Sequence, residues 1–123
     1  MKKEQGMEQK KDGKILIIVI RYLPAGERMY YEFPLGLAYI SASLKKAGYD
    51  VDVLNLNHYD GSTLDLIRDT MTRNKYRYVL TGGLSAHYQQ VKQVVQDVRN
   101  SDSAAKVIIG GGVGGISSAV ELA

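Results

Sequence analysis

Apolar residues change their spacing along the chain in a regular order. Residues 15–20, Ile-Leu-Ile-Ile-Val-Ile, form an unbroken apolar and largely β-branched run. Strands covered on both faces read this way, and such strands belong to parallel sheets. After a polar stretch, Leu37, Ile40, Leu44 and Ala47 recur at helical spacing. Pro34 near the first helical position and Gly48 just past the last repeat are the punctuation expected of a helix. Residues 51–56 alternate like a shorter strand. Asp60-Gly61 marks a turn, and Ser62 with Asp65 resembles a capping box ahead of a second helix carrying Leu64, Ile67 and Met71. Residues 76–80 read as a third strand. Val91, Val94, Val95 and Val98 then make the clearest helical stripe in the chain. A turn at residues 100–103, a fourth strand at 106–109, a glycine loop at 110–115 and the opening of a fourth helix at 116–123 complete the pattern.

Strand and helix therefore alternate four times. The pattern predicts an α/β fold: a doubly wound open parallel sheet, Rossmann/flavodoxin-like, with helices on both faces. Sheets of this class usually carry five or six strands, so the chain is expected to stop before a fifth. Residues 14–123 are read as this one domain, incomplete at its C-terminal end. Residues 1–13 hold four lysines, three acids and almost nothing apolar. Such a segment buries too little surface to offset its ordering entropy and is expected to be a disordered lead-in. It lacks the apolar core of a secretory signal, which predicts a cytoplasmic protein. Acids interspersed among its lysines argue against a nucleic-acid arm, and no nucleic-acid partner is expected.

Composition narrows the chemistry. The chain of 123 residues contains no cysteine. Disulfides, thiolate zinc sites, iron–sulfur ligation and cysteine nucleophiles are excluded from it together. With two histidines, His58 and His87, a histidine-rich metal site is not expected either. No apolar run approaches the roughly 18 residues of a membrane span. The net charge of +3 is spread along the chain and gives only slight support to an anionic partner.

In open parallel sheets, ligands bind past the carboxyl ends of the strands, where the strand order reverses. Four loops occupy that edge: residues 21–33, 55–61, 81–86 and 110–115. In Thr81-Gly82-Gly83-Leu84-Ser85 the glycines let a ligand approach the backbone, and Ser85 lies near a helix start. A tight turn with Ser85 as a simple N-cap explains the same residues. Gly110 to Gly115 contains G-x-G-x-x-G between a strand and a helix, the context of a dinucleotide site. A dinucleotide-binding fragment for FAD or NAD, using these glycines, is therefore the alternative function. The fingerprint normally follows the first strand, however, and here it follows the fourth. Asn55, Asn57, His58 and Asp60 read as solvated loop residues, and His87 is expected one turn into the third helix. Tyr22, Tyr30, Tyr31 and Tyr39 crowd the first loop and helix and could wall a large flat ligand. No nucleophile–base pair or paired carboxylates can be assembled. A phosphoryl-receiver domain needs acids after the first strand and an aspartate after the third. Arg21-Tyr22 and Thr81-Gly82 stand there instead.

Residues 33–51, FPLGLAYISASLKKAGYDV, resemble the opening of the cobalamin-binding domain of cobalamin-dependent radical S-adenosylmethionine enzymes. In that family P-L-G-L-x-Y-I-A is followed by L-x-x-A-G-H/Y-x-V and the second strand. Val107-Ile108-Ile109-Gly110-Gly111-Gly112 resembles the fourth strand and its loop, so the similarity runs from Lys14 to about Gly112. Gly114-Gly115 departs from the family pattern.

The resemblance implies a flavodoxin-like sheet with cobalamin (vitamin B12) across its carboxyl edge, bound base-off. By position, the cofactor contacts map to Tyr22 and Leu23, to Pro34, Leu35 and Gly36, to Thr81, Gly82, Gly83, Leu84 and Ser85, and to Gly110, Gly111 and Gly112. Many cobalamin domains carry D-x-H-x-x-G after the first strand, the histidine binding cobalt from below. Residues 21–33 contain no histidine, so the resemblance is to the subgroup without a protein histidine ligand. Such a module binds a metal only through the corrinoid and is not catalytic alone. The implied parent enzyme, a methyltransferase or cyclase, joins it in one chain to a radical S-adenosylmethionine barrel, with an iron–sulfur cluster and S-adenosylmethionine as further cofactors.

Overall fold

The computed structural model describes residues 13–22, 35–83 and 87–110. Four strands, β1 (Lys14–Val19), β2 (Asp50–Asn55), β3 (Tyr76–Gly82) and β4 (Lys106–Gly110), alternate with three helices, α1 (Leu35–Lys46), α2 (Thr63–Arg73) and α3 (Tyr88–Ser101). All strand pairs are parallel, in the order β2-β1-β3-β4. This is the flavodoxin-like order as far as four strands define it. The expected doubly wound α/β fold is thus the observed one. The expected glycine loop beyond Gly110 and the fourth helix lie outside the described residues, as does the lead-in before Gly13.

The two sheet faces are covered by different helices. Leu16, Ile18 and Ile20 point into a core with Leu54, Leu56, Ile67, Met71, Val79 and the four valines of α3. Ile15, Ile17 and Val51 point the other way, where Leu37 and Leu44 of α1 pack on them. The unbroken apolar run of β1 is therefore what a central strand needs: both faces of it are buried.

Helix ends follow local chemistry. The Ser62 side chain accepts a hydrogen bond from the Asp65 backbone N–H at 3.0 Å, so the anticipated cap is present. After α1, Gly48 adopts φ +100°. Gly48 and Tyr49 donate back to the carbonyls of Lys45 and Leu44, closing the last turn as a left-handed glycine allows. Between α2 and α3, the buried Asp97 carboxylate accepts from Thr63 Oγ1 at 3.1 Å and from Gln93 Nε2 at 2.9 Å.

At the amino edge, the register of β1 against β3 shifts by one residue, from Lys14↔Tyr76 to Ile15↔Tyr78. The shift turns Tyr76 into the larger core, and its phenol donates to Asp52 Oδ2 at 2.6 Å across β1. Lys14 Nζ lies 3.4 Å from the same carboxylate. The Tyr76 hydrogen bond, and then Lys14, hold the Asp52 carboxyl below its ordinary pKa against the opposing effect of burial. Burial, and then the bond to Asp52, push the Tyr76 phenol above its ordinary value. The Asp52 contribution to stability is complete above about pH 4 and is lost as pH falls through its lowered folded value. The Tyr76 contribution is complete below about pH 10 and is lost as pH rises towards its raised folded value. Urea unfolding across this range should show both losses. Tyr76→Phe should abolish the alkaline one and reduce the acid one; two unchanged limbs would show that the pair does not couple to folding.

Candidate cofactor site

Strand order places the site. β1 lies between β2 and β3, its own helix packs on one face, and α2 and α3 pack on the other. The chain leaves β1 and β3 towards opposite faces, which opens the switch-point crevice at the carboxyl ends of these two strands.

From β1, Ile20 is fully buried and Arg21 and Tyr22 emerge half-buried. The Arg21 guanidinium is held by three backbone carbonyls of the loop after β2. Nε donates to Leu56 at 3.1 Å, and the two terminal nitrogens donate to Gly61 and Tyr59, each at 2.7 Å. Asn57 completes the joint. Its Nδ2 donates to the Ile20 carbonyl at 2.7 Å, and its Oδ1 accepts from the Tyr22 N–H at 2.9 Å. Asn55 is buried and caps the short 3₁₀ turn Leu56–His58 by accepting from the Asn57 N–H at 3.0 Å. The expectation of a solvated loop at Asn55 and Asn57 is therefore corrected; it holds for the exposed His58 and Asp60. Asn55 and Asn57 escaped because periodicity carries no signal for a loop side chain that bonds to another strand's backbone.

From β3, Thr81 and Gly82 belong to the strand rather than to the loop expected there, and they pair with Ile109 and Gly110. The buried Thr81 hydroxyl donates to the Ile18 carbonyl at 2.9 Å. Gly82 faces the β4 backbone so closely that a Cβ on it would collide with the Gly110 carbonyl. A Cβ on Gly83 would lie 3.2 Å from both His87 Cβ and Ile20 Cδ1. Gly83 thus has little space beside it, contrary to the open approach expected. Gly110 and Gly36 differ: a Cβ on either meets no described atom within 4 Å.

His87 is a further correction. It occupies the N-cap position of α3, at the carboxyl edge, rather than a place one turn inside the helix. Its ring meets that of Tyr22 edge to face, with centroids 5.0 Å apart and planes at 72°. Beside this pair a groove of about 310 Å³ runs between Arg21, Tyr22, Leu56, Thr63, Gln90, Gln93 and Val94.

Of the expected site residues, the structure brings Tyr22, Gly83 and, through strand pairing, Thr81, Gly82 and Gly110 to one edge. Leu35 and Gly36 open α1. Leu23, Pro34, Leu84, Ser85, Gly111 and Gly112 lie outside the described residues. Among the described residues no cluster of three or more His, Cys, Asp or Glu side chains can hold a metal ion, and no helix is long and apolar enough to cross a membrane.

A family model for the B12 binding domain matches residues 24–119, most of the chain. The chain belongs to the B12-binding domain family. No curated protein matches it by sequence. Among solved structures, it resembles in fold the radical S-adenosylmethionine methyltransferase TsrM from Kitasatospora setae, solved with a tryptophan substrate and a S-adenosylmethionine analogue. The TM-score is 0.62 at 15% identity, over 81% of this chain and 20% of that enzyme. The chain thus spans about one fifth of the length of TsrM. At the carboxyl edge the structure leaves space beside Gly110 and Gly36 and pairs the Tyr22 and His87 rings.

Proposed function

We propose that this B12-binding domain is the cobalamin-carrying module of a larger radical S-adenosylmethionine enzyme that transfers methyl groups or forms rings. The observation that carries the reading is the family match lying on a sheet whose order leaves a crevice between β1 and β3. The likeness in fold to TsrM and the Pro34-Leu35-Gly36 stretch support the larger context. Cobalamin supplies a redox-active cobalt; the chain supplies its seat.

In this reading the domain comprises residues 14–123. Tyr22 and Leu23, which follow β1 in sequence, contact the corrinoid, as do Pro34, Leu35 and Gly36, residues 81–85 and residues 110–112. The corrinoid would be held base-off, with no histidine of this chain as cobalt ligand, because residues 21–33 contain none. The cluster and S-adenosylmethionine belong to the barrel of the parent protein.

The test is direct. The purified chain is mixed with hydroxocobalamin and passed over a sizing column. Corrinoid absorbance eluting with the protein supports the module, and free corrinoid with bound FAD or NAD instead would overturn it. A C-x-x-x-C-x-x-C motif downstream in the parent reading frame checks the larger enzyme. For the axial position, the paramagnetic resonance spectrum of the reduced, bound corrinoid should carry no nitrogen splitting from the protein, so His58→Ala and His87→Ala should remove none. A nitrogen splitting that disappears in either variant would refute the claim.

A further inference from the structure

We infer that Asn57 is a positioning residue for the corrinoid, acting through the Tyr22–His87 ring pair; the inference rests on the proposed cobalamin-carrying function. Asn57 lies on the loop after β2, yet both ends of its amide engage the chain just past β1. Nδ2 bonds the Ile20 carbonyl at 2.7 Å and Oδ1 bonds the Tyr22 N–H at 2.9 Å. These bonds bracket Arg21, two residues past the end of β1. One amide thereby fixes the direction in which the chain leaves the sheet.

That direction sets where the Tyr22 ring stands: edge-on to His87, with centroids 5.0 Å apart. His87 caps α3 and closes over Gly83, whose missing Cβ would lie 3.2 Å from His87 Cβ. A continuous line of contacts thus runs from the β2 loop through Asn57 to Tyr22, His87 and Gly83. It crosses the crevice between β1 and β3, the place where a ligand of this fold binds. Asn57 is itself held from behind: its N–H and its Nδ2 both donate to Asn55 Oδ1, at 3.0 and 2.9 Å. Arg21 ties the rest of the loop to the same strand end through three carbonyls. So the anchor is rigid enough to transmit a position, and the Asn57 amide reaches Tyr22 through the backbone N–H rather than through the ring.

A purely structural Asn57 and a positioning one differ in coupling. Hydroxocobalamin is titrated into the 123-residue chain and into Asn57→Ala, Tyr22→Ala and the double variant. Each single substitution is expected to weaken binding about tenfold, the scale of one lost hydrogen bond or ring contact. If Asn57 acts through Tyr22, the double variant is also about tenfold weaker, and the absorption and circular-dichroism bands of the bound corrinoid shift alike in all three. Losses that multiply to about a hundredfold, or an Asn57→Ala chain that binds as the wild type does, overturn the inference. Thermal unfolding is recorded for each. If Asn57→Ala is unfolded at the assay temperature, Asn57→Asp replaces it in the cycle, keeping the acceptor for Tyr22 and losing the donor to Ile20. A wild-type chain that holds no corrinoid overturns the functional reading and this inference with it; multiplicative losses on a binding wild type overturn the inference alone.

Discussion

Gly82→Val should unfold the carboxyl edge, whereas Gly110→Val, its partner in the β3–β4 register, should leave the fold in place. The two glycines face each other across parallel strands. A Cβ on Gly82 would collide with the carbonyl of Gly110, which is backbone and cannot rotate away; a Cβ on Gly110 meets no described atom within 4 Å. Replacing a strand glycine by a β-branched residue ordinarily gains up to about 1 kcal/mol of strand preference. Overpacking against backbone costs about 3 kcal/mol at its upper end, so the clash wins at Gly82. The net loss of about 2 kcal/mol corresponds, for a domain of this size, to roughly an 8 °C lower melting temperature. At Gly110 the clash is absent and stability should hold within about 1 kcal/mol. If Gly110 belongs to the site proposed above, corrinoid affinity should nevertheless fall tenfold or more, about 1.4 kcal/mol. Thermal melts and a hydroxocobalamin titration separate the two effects. Equal melting temperatures for the two variants would mean that β3 and β4 do not pack as described.

That asymmetry shows what a sequence carries and what it withholds. The strands and helices were legible because burial imposes a period. The β-branched run of β1 announced a strand covered on both faces, and the four valines of α3 announced the face it buries. Ser62 was legible as a cap because its partner lies three residues away. The site was legible only as loops at one edge. Thr81 and Gly82 look like loop residues by composition, yet they extend β3 because β4 pairs with them. Asn57 gives no local sign of its role, since its partners Ile20 and Tyr22 are 37 and 35 residues away. Asp97 falls outside the apolar stripe and is buried all the same, because Thr63 and Gln93 donate to its carboxylate. Interactions local in sequence leave a pattern; those made by topology do not.

Ile20→Ala should be among the most destabilising substitutions in the domain, and the cause should be traceable to Gly83. Ile20 is fully buried at the end of the β1 run, in the larger core. Truncation there removes three carbons and leaves a cavity, at a cost of about 2–5 kcal/mol, or roughly 8–20 °C in melting temperature. The Ile20 backbone keeps its bond from Asn57, so the exit of β1 is retained and the loss is one of packing. The contact with Gly83 supplies the sharper test. Ile20 Cδ1 is one of the two atoms 3.2 Å from where a Gly83 Cβ would stand. Gly83→Ala alone should cost about 1 kcal/mol, the low end of overpacking. Ile20→Val alone, which deletes Cδ1, should cost about 1 kcal/mol through the lost methyl group. Together the new methyl enters the vacated space, and the double variant should be more stable than the sum of the single losses by about 0.5–1 kcal/mol. His87 Cβ, the other near atom, remains, so relief should be partial. Chemical denaturation of the four chains measures this coupling. Additive losses would mean that Ile20 and Gly83 do not share this space.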